Sequence, residues 1–575
     1  ADQRGSRALQ GVPKRAGACG SVGRPSHVRE AASMLPLRRA FVALCALVIA
    51  VGCTRVGGAG PSDRHAWTRP GVLRIADVSD PDHFNPLLST MDLVEDLSSL
   101  VFSYLVISDG NGKLIGDLAT EVPSLANGGI SKDGKTYVYH VRKGVRWHDA
   151  APFTAHDVAF TWRAIVSPRN NILHREGYEE IERIDVPDPY TLVVHLRRRY
   201  PPFVTQFFTT LQEGSKAVLP EHILGKLAEI NDAPFNSNPI GTGPFKFVKW
   251  DRGRGMDFVA NPDYFKGKPK IGRIQFRILP SDDTILAAMQ AHEIDLVASV
   301  ATTQFERYRT LPGVVTELTP WNAVNDFSIN DRKPGLRHVE VRRAISMAID
   351  YEGIIHKVTH GVGALAHDIV PPGAVGFTNN SAYRYDPQAA SALLERSGWH
   401  AGPDGIRSKG AERLAFVMDV STGSANARNI AIQMQSYLRA VGIGLAIKTY
   451  PYNVIFSHEG PIETMTYDLA DYSYTLPWDP NNAIYLGCDE RPPKGENAYG
   501  YCDPAVDAGE KAALETDDPA ARSAIYHGVE RRIHDTVPYI PLYLLRRPSA
   551  RNVDLKHYSA SPAIAPWWNV NQWEI

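Results

Sequence analysis

The sequence predicts an α/β fold class on three observations. From Gly71 onward, segments alternating apolar and polar residues interleave with segments whose apolar residues recur every three or four positions. The helical segments carry their own start and stop residues. A chain of 575 residues, 43% hydrophobic and 9% aromatic, is long enough for two to four packing units of ~100–200 residues and too apolar to stay disordered. A segregated α+β arrangement fits the same alternation, and the sequence leaves that choice open.

The elements follow in order. "TYVYHVRKGVRW", from Thr136 to Trp147, has period two and reads as a strand entering a turn. "TAHDVAFTWRAIV" begins at Thr154, an N-cap with Asp157 three residues on, and places Val158, Trp162, Ile165 and Val166 near helical spacing. "VRRAISMAID" sets Val341, Ala344, Ile345 and Ala348 on one stripe. In "DPQAASALLERSG", Asp386 caps, Pro387 takes the first helical position and Gly398 stops the helix. "ARNIAIQMQSYLRAVGIGLAIKTY" reads as a helix, a stop at Gly442 and a strand. "VPYIPLYLL" contains two prolines, which predict an edge strand or extended segment rather than a central strand.

Lys and Arg number 62 against 63 Asp and Glu. That balance offers no basic field for nucleic acid, so no nucleic-acid partner is expected. Phe41 to Val51 is apolar but falls short of the roughly 20 residues that span a bilayer. Arg38 and Arg39 precede it and Gly52-Cys53 follow, so 34–52 reads as a secretory signal starting at Met34. Residues 1–33 are expected to be an upstream or non-native extension. Cys53 after "IAVG" resembles a bacterial lipidation site, departing from the usual pattern at Ala50, and 53–70 then reads as a lipid-anchored tether. Cys488 and Cys502 flank a Pro/Gly-rich loop; a disulfide is expected in an oxidising compartment, with two free thiols as the other reading. No CxxC accompanies them, and no metal site is expected.

Gly129 to Thr136 satisfies GxxxxGK[ST], but phosphate binding needs a helix starting at the Lys-Thr, and "TYVYHV" has strand periodicity. Asp133-Gly134 is expected to be a hairpin turn. No GxSxG or HExxH is present, and no enzymatic activity is expected. His148-Asp149 reads as a surface or hairpin pair, and "GTGPF" at 241–245 as tight packing. Aromatic residues among acids and amides, Tyr472, Tyr474 and Trp478 in one stretch and Trp321 in another, suit either an organic ligand pocket or an ordinary core.

The order of segments resembles the family 5 extracytoplasmic solute-binding proteins, the peptide- and nickel-binding components of ABC importers. The matching segments are "DPDHFNPL", "SKDGKTYVYHVRKGVRWHDAAPFTAHDVAFTW", "PIGTGPFKFVKW", "NPDYFKGKPKI", "HEIDL", "EVRRAISMAID", "CDE…GYCDPAVD" and "VPYIPLY". The resemblance implies a periplasmic-binding-protein type II fold of two hinged lobes with a subdomain inserted in the first. By analogy the first lobe is 71–105, 238–320 and 533–575, the insert 106–237 and the second lobe 321–532. It further implies a monomer without cofactor. That monomer would be held by its lipid at the outer face of the cytoplasmic membrane or in the periplasm, and would deliver peptides or peptide-like solutes to a permease and its ATPase. An envelope sensor or a nickel-chelate receptor of the same fold, and a periplasmic hydrolase, are the alternatives. The implied ligand residues are Asn85, Trp321, Asn325, Tyr474, Trp478 and Asp479. Peptide-binding relatives carry an Asp for the ligand ammonium four residues before the Pro of an Asp/Glu-Pro pair. Here that position, counted from Pro480, is Leu476, which leaves Asp471 or Asp479 to supply the counter-charge.

Overall fold

The computed structural model describes residues 64–575, apart from 90, 173–174, 176, 212–215, 367–369, 371–375, 378–383, 423, 458, 476–478, 480–481, 493–494 and 563–564. The expected extension at 1–33, the expected signal at 34–52, Cys53, Leu476 and Trp478 lie outside the described residues. Among those described, no helix is long and apolar enough to cross a membrane.

Eleven strands form one mixed sheet: β1 Val72–Asp77, β2 Phe245–Asp251, β3 Gly255–Ala260, β4 Arg273–Ile278, β5 Leu296–Val297, β6 Val314–Ile329, β7 Ala364–Leu365, β8 Ala415–Ser421, β9 Gly444–Tyr450, β10 Leu469–Thr475 and β11 Tyr539–Asn552. Their order is β9-β8-β10-β6-β11-β5-β1-β4-β3-β2, with β7 beside β11. β1 runs parallel to β4 and β5, and β8 parallel to β9 and β10, which places helical crossovers on both halves. The labelled helices are α1 Asp92–Val101, α2 Ala155–Val166, α3 Val339–Ala348, α4 Pro387–Arg396, α5 Ala425–Ala440, α6 Pro504–Ala513 and α7 Pro519–Thr536.

The cap chemistry read from the sequence operates as written. Thr154 and Asp157 form a capping box on α2, and Asp386 accepts the Ala389 amide at 2.8 Å on α4. Gly398 and Gly442, each at φ +84°, occupy the left-handed conformation that ends their helices. Gly134 turns at φ +67° and is followed by a strand, Thr136–His140. No helix therefore starts where a phosphate loop requires one.

One core gathers Leu73, Leu97, Phe258, Ile274 and Trp573; another gathers Phe327, Ile345, Met418, Met434 and Ile540. β6 and β11 are long enough, at 16 and 14 residues, to belong to both halves. Their pairing breaks between Pro320 and Val324, where Trp321, Asn322 and Ala323 stand opposite the single residue Leu545. A bulge of this kind bends and twists the pair locally.

β11 as a whole lies between β6 and β5, but β5 pairs with it only at Ala550 and Arg551; among the described residues Tyr539, Ile540 and Pro541 pair with β6 alone, so the segment around the prolines is edge-like, as expected. Pro541 is tolerated there for two reasons. A second register shift, between Asn325 and Asp326, faces it, and β7 begins to pair with β11 only at Tyr543. Part of the span expected to be a tether, 53–70, falls within the described residues. Thr68 Oγ1 and the His65 amide donate to Asp554 at 2.6 and 2.8 Å, and the Trp67 ring stacks between His65 and His292. Residues from Arg64 on thus pack against the body.

A three-stranded sheet, Thr136–His140, Thr191–Leu196 and Ile181–Asp188, shares the first core through Tyr137, Tyr139 and Val194. His148 lies in the hairpin turn between the paired Arg146 and Pro152, as one of its two expected readings has it, and also joins this region to the body. Its Nδ1 accepts the Gly241 amide at 3.2 Å and its Nε2–H donates to the Gly243 carbonyl at 3.0 Å. Both glycines are obligatory here, since a Cβ at either would fall within 2.5 Å of the Val101 carbonyl group. Burial lowers the His148 pKa to about 4. The unfolded chain therefore binds the proton first, and stability falls as pH drops from ~6.5 through 4, by at most ~3 kcal/mol and less where water reaches the ring. His148→Gln, which retains an acceptor and a donor, is expected to flatten that limb in urea unfolding; an unchanged profile would refute the assignment.

Candidate ligand-binding site

The site grows out of a divergence between two strands. β8 and β10 pair only at Met418–Leu469 and Asp419–Ala470 and then separate. The chain leaves β8 through α5 to β9 on one side, while β10 lies on the other. A crevice therefore opens beyond the carboxyl end of β8 at a topological switch point, the usual ligand position in an open α/β sheet. It holds a cavity of about 480 Å³, within the ~300–1,000 Å³ common for small-molecule sites.

Phe456, Tyr472, Tyr543 and Leu545 form its apolar wall. Its polar side comes from Ser421 at the end of β8, Ser424 and Asn426 at the start of α5, Asn325 on β6, and Asp471 and Ser473 on β10. Asp471 is 3% exposed and its Oδ1 has no hydrogen-bond partner among the described residues. Burial raises its pKa to about 7, opposed in part by the nearby Asn325 amide. Asn325 donates through Nδ2 to the Tyr472 carbonyl at 3.3 Å and the Ser473 hydroxyl at 3.1 Å, while its own Oδ1 stays unpartnered. Behind this pair, Asp326 is fully buried, accepts from the Ser328 hydroxyl at 2.9 Å and has its pKa pushed well up by burial. The cavity thus presents one buried acceptor group that ionises near neutrality, set among neutral dipoles.

Of the residues expected at the site, Asn325 and Asp471 meet at this cavity. Tyr474 stands on β10 opposite Val324 on β6, and its side chain is outside what is described. Asn85 is not at the cavity: it is fully buried, its Nδ2 donates to Asn236 at 2.9 Å, and its Oδ1 accepts the Leu87 amide. Its amide is spent on the turn that follows β1. Trp321, at the bulge in β6, lies under the Arg547 guanidinium, 5.0 Å from ring centroid, and Arg547 is paired with Asp96 at 3.0 Å. Asp479 is held by Arg522 at 2.5 Å, with both side chains under 10% exposed. A buried carboxylate already neutralised by a guanidinium has no free charge for a ligand. Ser421, Ser424, Asn426 and Tyr543 were not anticipated. The available signal was Ser424 itself, an N-cap following a strand, because strand-to-helix turns line such crevices.

Cys488 and Cys502 are joined in a disulfide with Cα atoms 4.5 Å apart. Replacing both with Ser is expected to cost about 3 kcal/mol on the chain-entropy account for a loop of this length, read as a lowered urea midpoint; an unchanged midpoint would count against it.

The family model for bacterial extracellular solute-binding proteins, family 5 (middle region) matches residues 113–491. The oligopeptide-binding protein AppA of Bacillus subtilis is 26% identical over 519 residues, covering 87% of this chain and 91% of that protein. Di/tripeptide-binding protein 2 of Pseudomonas aeruginosa is 26% identical over 523 residues, covering 86% and 94%. The crystal structure of NikZ from Campylobacter jejuni, in complex with Ni(L-His), superposes with a TM-score of 0.73 at 26% identity, covering 88% of this chain and all of that one. These matches account for the mixed sheet, the shared long strands and the inserted subdomain as the two-lobed type II architecture. The chain belongs to the bacterial extracellular solute-binding proteins of family 5.

Proposed function

We propose that the protein captures peptides or peptide-like solutes outside the cytoplasm and hands them to the permease of an ABC importer, as a lipid-anchored monomer that does no chemistry on its cargo. The observation that carries this is Asp471: a buried carboxyl with an unpartnered oxygen, in a cavity at a strand switch point, is suited to the ammonium of a free-amine ligand. Asp471, rather than Leu476 or Asp479, then supplies the counter-charge. The peptide-binding relatives in Bacillus subtilis and Pseudomonas aeruginosa support the same ligand class.

We infer that the lobes divide at the β6 bulge: the first is 71–105, 238–320 and the chain after Leu545, in place of the 533–575 expected from the resemblance, with the insert at 106–237. The second runs from 321 to that point in β11, because Val537, Ile540, Leu542 and Tyr543 pack in the second core. Ligand shifts an open–closed balance at this hinge, and moving a closed population from 1% to 99% requires about 10⁴-fold tighter binding to the closed form. Native mass spectrometry of protein purified without refolding should show retained peptide mass, and small-angle scattering should show compaction when a peptide pool is added. A cargo-free protein whose radius does not respond to peptides would sink the proposal.

A further inference from the structure

We infer that Arg199 of the inserted subdomain is a latch: by bonding the corner between α6 and α7 it holds the two lobes together and slows the release of cargo. This rests on the reading of the protein as a hinged solute receptor and gives the insert a part in that hinge.

Three segments meet at this point. Arg199 follows the strand Thr191–Leu196, and the turn at Lys132, Asp133 and Gly134 leads into its neighbour Thr136–His140 in the insert's small sheet. The corner at 514–518 joins α6 to α7 in the second lobe. The Arg199 guanidinium bridges the two. Its Nε donates to the Asp133 carbonyl at 3.1 Å and lies 3.1 Å from Asp517 Oδ2, and its Nη1 donates to the Glu515 carbonyl at 3.3 Å. The backbones approach so closely that a Cβ at Gly134 would stand 2.9 Å from Asp517 Oδ2. Leu514, at the start of the corner, packs against the first core.

These contacts cross from the insert to the second lobe through residues of neither connecting strand, β6 or β11. Opening the lobes at the β6 bulge therefore has to stretch or break them. The Arg199 and Asp517 side chains are 36% and 17% exposed. A pair that keeps part of its water contributes little on balance, so it biases a closed form by several-fold without locking it. The corner also connects to the cavity. Asp518 caps α7 by taking the Ala521 amide at 2.7 Å, and Arg522, one turn on, holds Asp479 in the segment that follows β10. β10 carries Asp471 and Ser473 of the polar wall.

The test compares the full chain with Arg199→Gln, Asp517→Asn, the double exchange of Arg199→Asp with Asp517→Arg, and Arg198→Gln. Asp517→Asn isolates the crossing pair, because it leaves the bonds of Arg199 within the insert in place. Arg198 is the neighbour in sequence but pairs with Glu180 inside the insert, so its loss controls for a missing surface charge. Stopped flow reads association and release of a pool of unmodified tripeptides. Single-molecule energy transfer between dyes on the insert and the second lobe reads the lifetime of the closed form without peptide. Arg199→Gln and Asp517→Asn should each release the pool about 5-fold faster, the upper end of what a half-exposed ion pair contributes, with association unchanged. The closed lifetime should shorten by the same factor. The exchange should recover part of both losses, raising salt to about 0.5 M should narrow the gap between native protein and variants, and Arg198→Gln should match the native protein. Native release and native closed lifetime in both single variants, an equal effect of Arg198→Gln, or an exchange no better than the single variants would overturn the latch. If the tripeptides bind none of the proteins, the solute reading falls, and the closed lifetimes alone then decide whether Arg199 holds the lobes together.

Discussion

In calorimetric titration with a free-amine peptide above pH 7, Asp471→Asn is expected to bind about 100-fold more weakly than the native protein. That is the ~3 kcal/mol associated with a hydrogen bond to a charged group. The asparagine retains the shape and one acceptor, so packing survives while the charge is lost. The pH dependence gives a second, independent reading. The pKa of Asp471 is raised to about 7 by burial. An ammonium ligand requires the carboxylate, so native affinity should be flat above pH 7 and fall by up to ~10-fold per unit below it. Asp471→Asn should abolish that slope. The stability effect has the opposite sign. Between ~3.9 and 7 the folded state holds a proton the unfolded chain has lost, so native stability declines as pH rises through this window. Asp471→Asn is therefore expected to melt higher than the native protein above pH 7 while binding less. A variant that binds normally, or a native affinity independent of pH from 5 to 8, would remove Asp471 from the site.

Arg522→Met is expected to produce the largest stability loss. The Arg522 guanidinium bonds Asp479 at 2.5 Å and the Ala513 carbonyl at 2.9 Å, and its plane lies over the Tyr526 ring. Burial raises the pKa of Asp479 and the charge of Arg522 opposes that shift. Removing the cation leaves a buried carboxylate uncompensated, at a cost of about 3–5 kcal/mol. Glu510, also buried and with its pKa raised to about 8, adds no compensating charge. Asp479→Asn in the same background should recover a substantial part of the loss, because the stranded charge is then gone. Differential scanning calorimetry of the two single variants and the double variant reads the coupling directly. Additive losses would show that Asp479 and Arg522 do not act as a pair.

Legibility differed by the range of the interaction involved. Helix ends at Thr154, Asp386, Gly398 and Gly442, and the turn at Gly134, were decided by the chain alone, because caps and turns satisfy backbone groups within a few residues. The α/β class followed for the same reason, since periodicity is a property of contiguous sequence. The order of motifs was enough to indicate the family. What the tertiary structure decided is what distant segments do to one another. The prolines of β11 pointed to an edge, and Pro541 does pair with β6 alone, but the later residues of the same strand run between β6 and β5. His148 was legible as a surface or hairpin residue, but its bonds to Gly241 and Gly243, some 95 residues away, were not. Asn85 and Asp479 were the leading acceptor candidates in sequence, with Asp471 as a substitute for Asp479. Asn236, 151 residues from Asn85, takes up that amide, and Arg522, 43 residues from Asp479, neutralises its charge through Oδ2, whereas Asp471 has no cation beside it among the described residues and lines the cavity. A polar group's availability is set by whether a partner reaches it, and those partners are brought by the fold rather than by their neighbours in the chain.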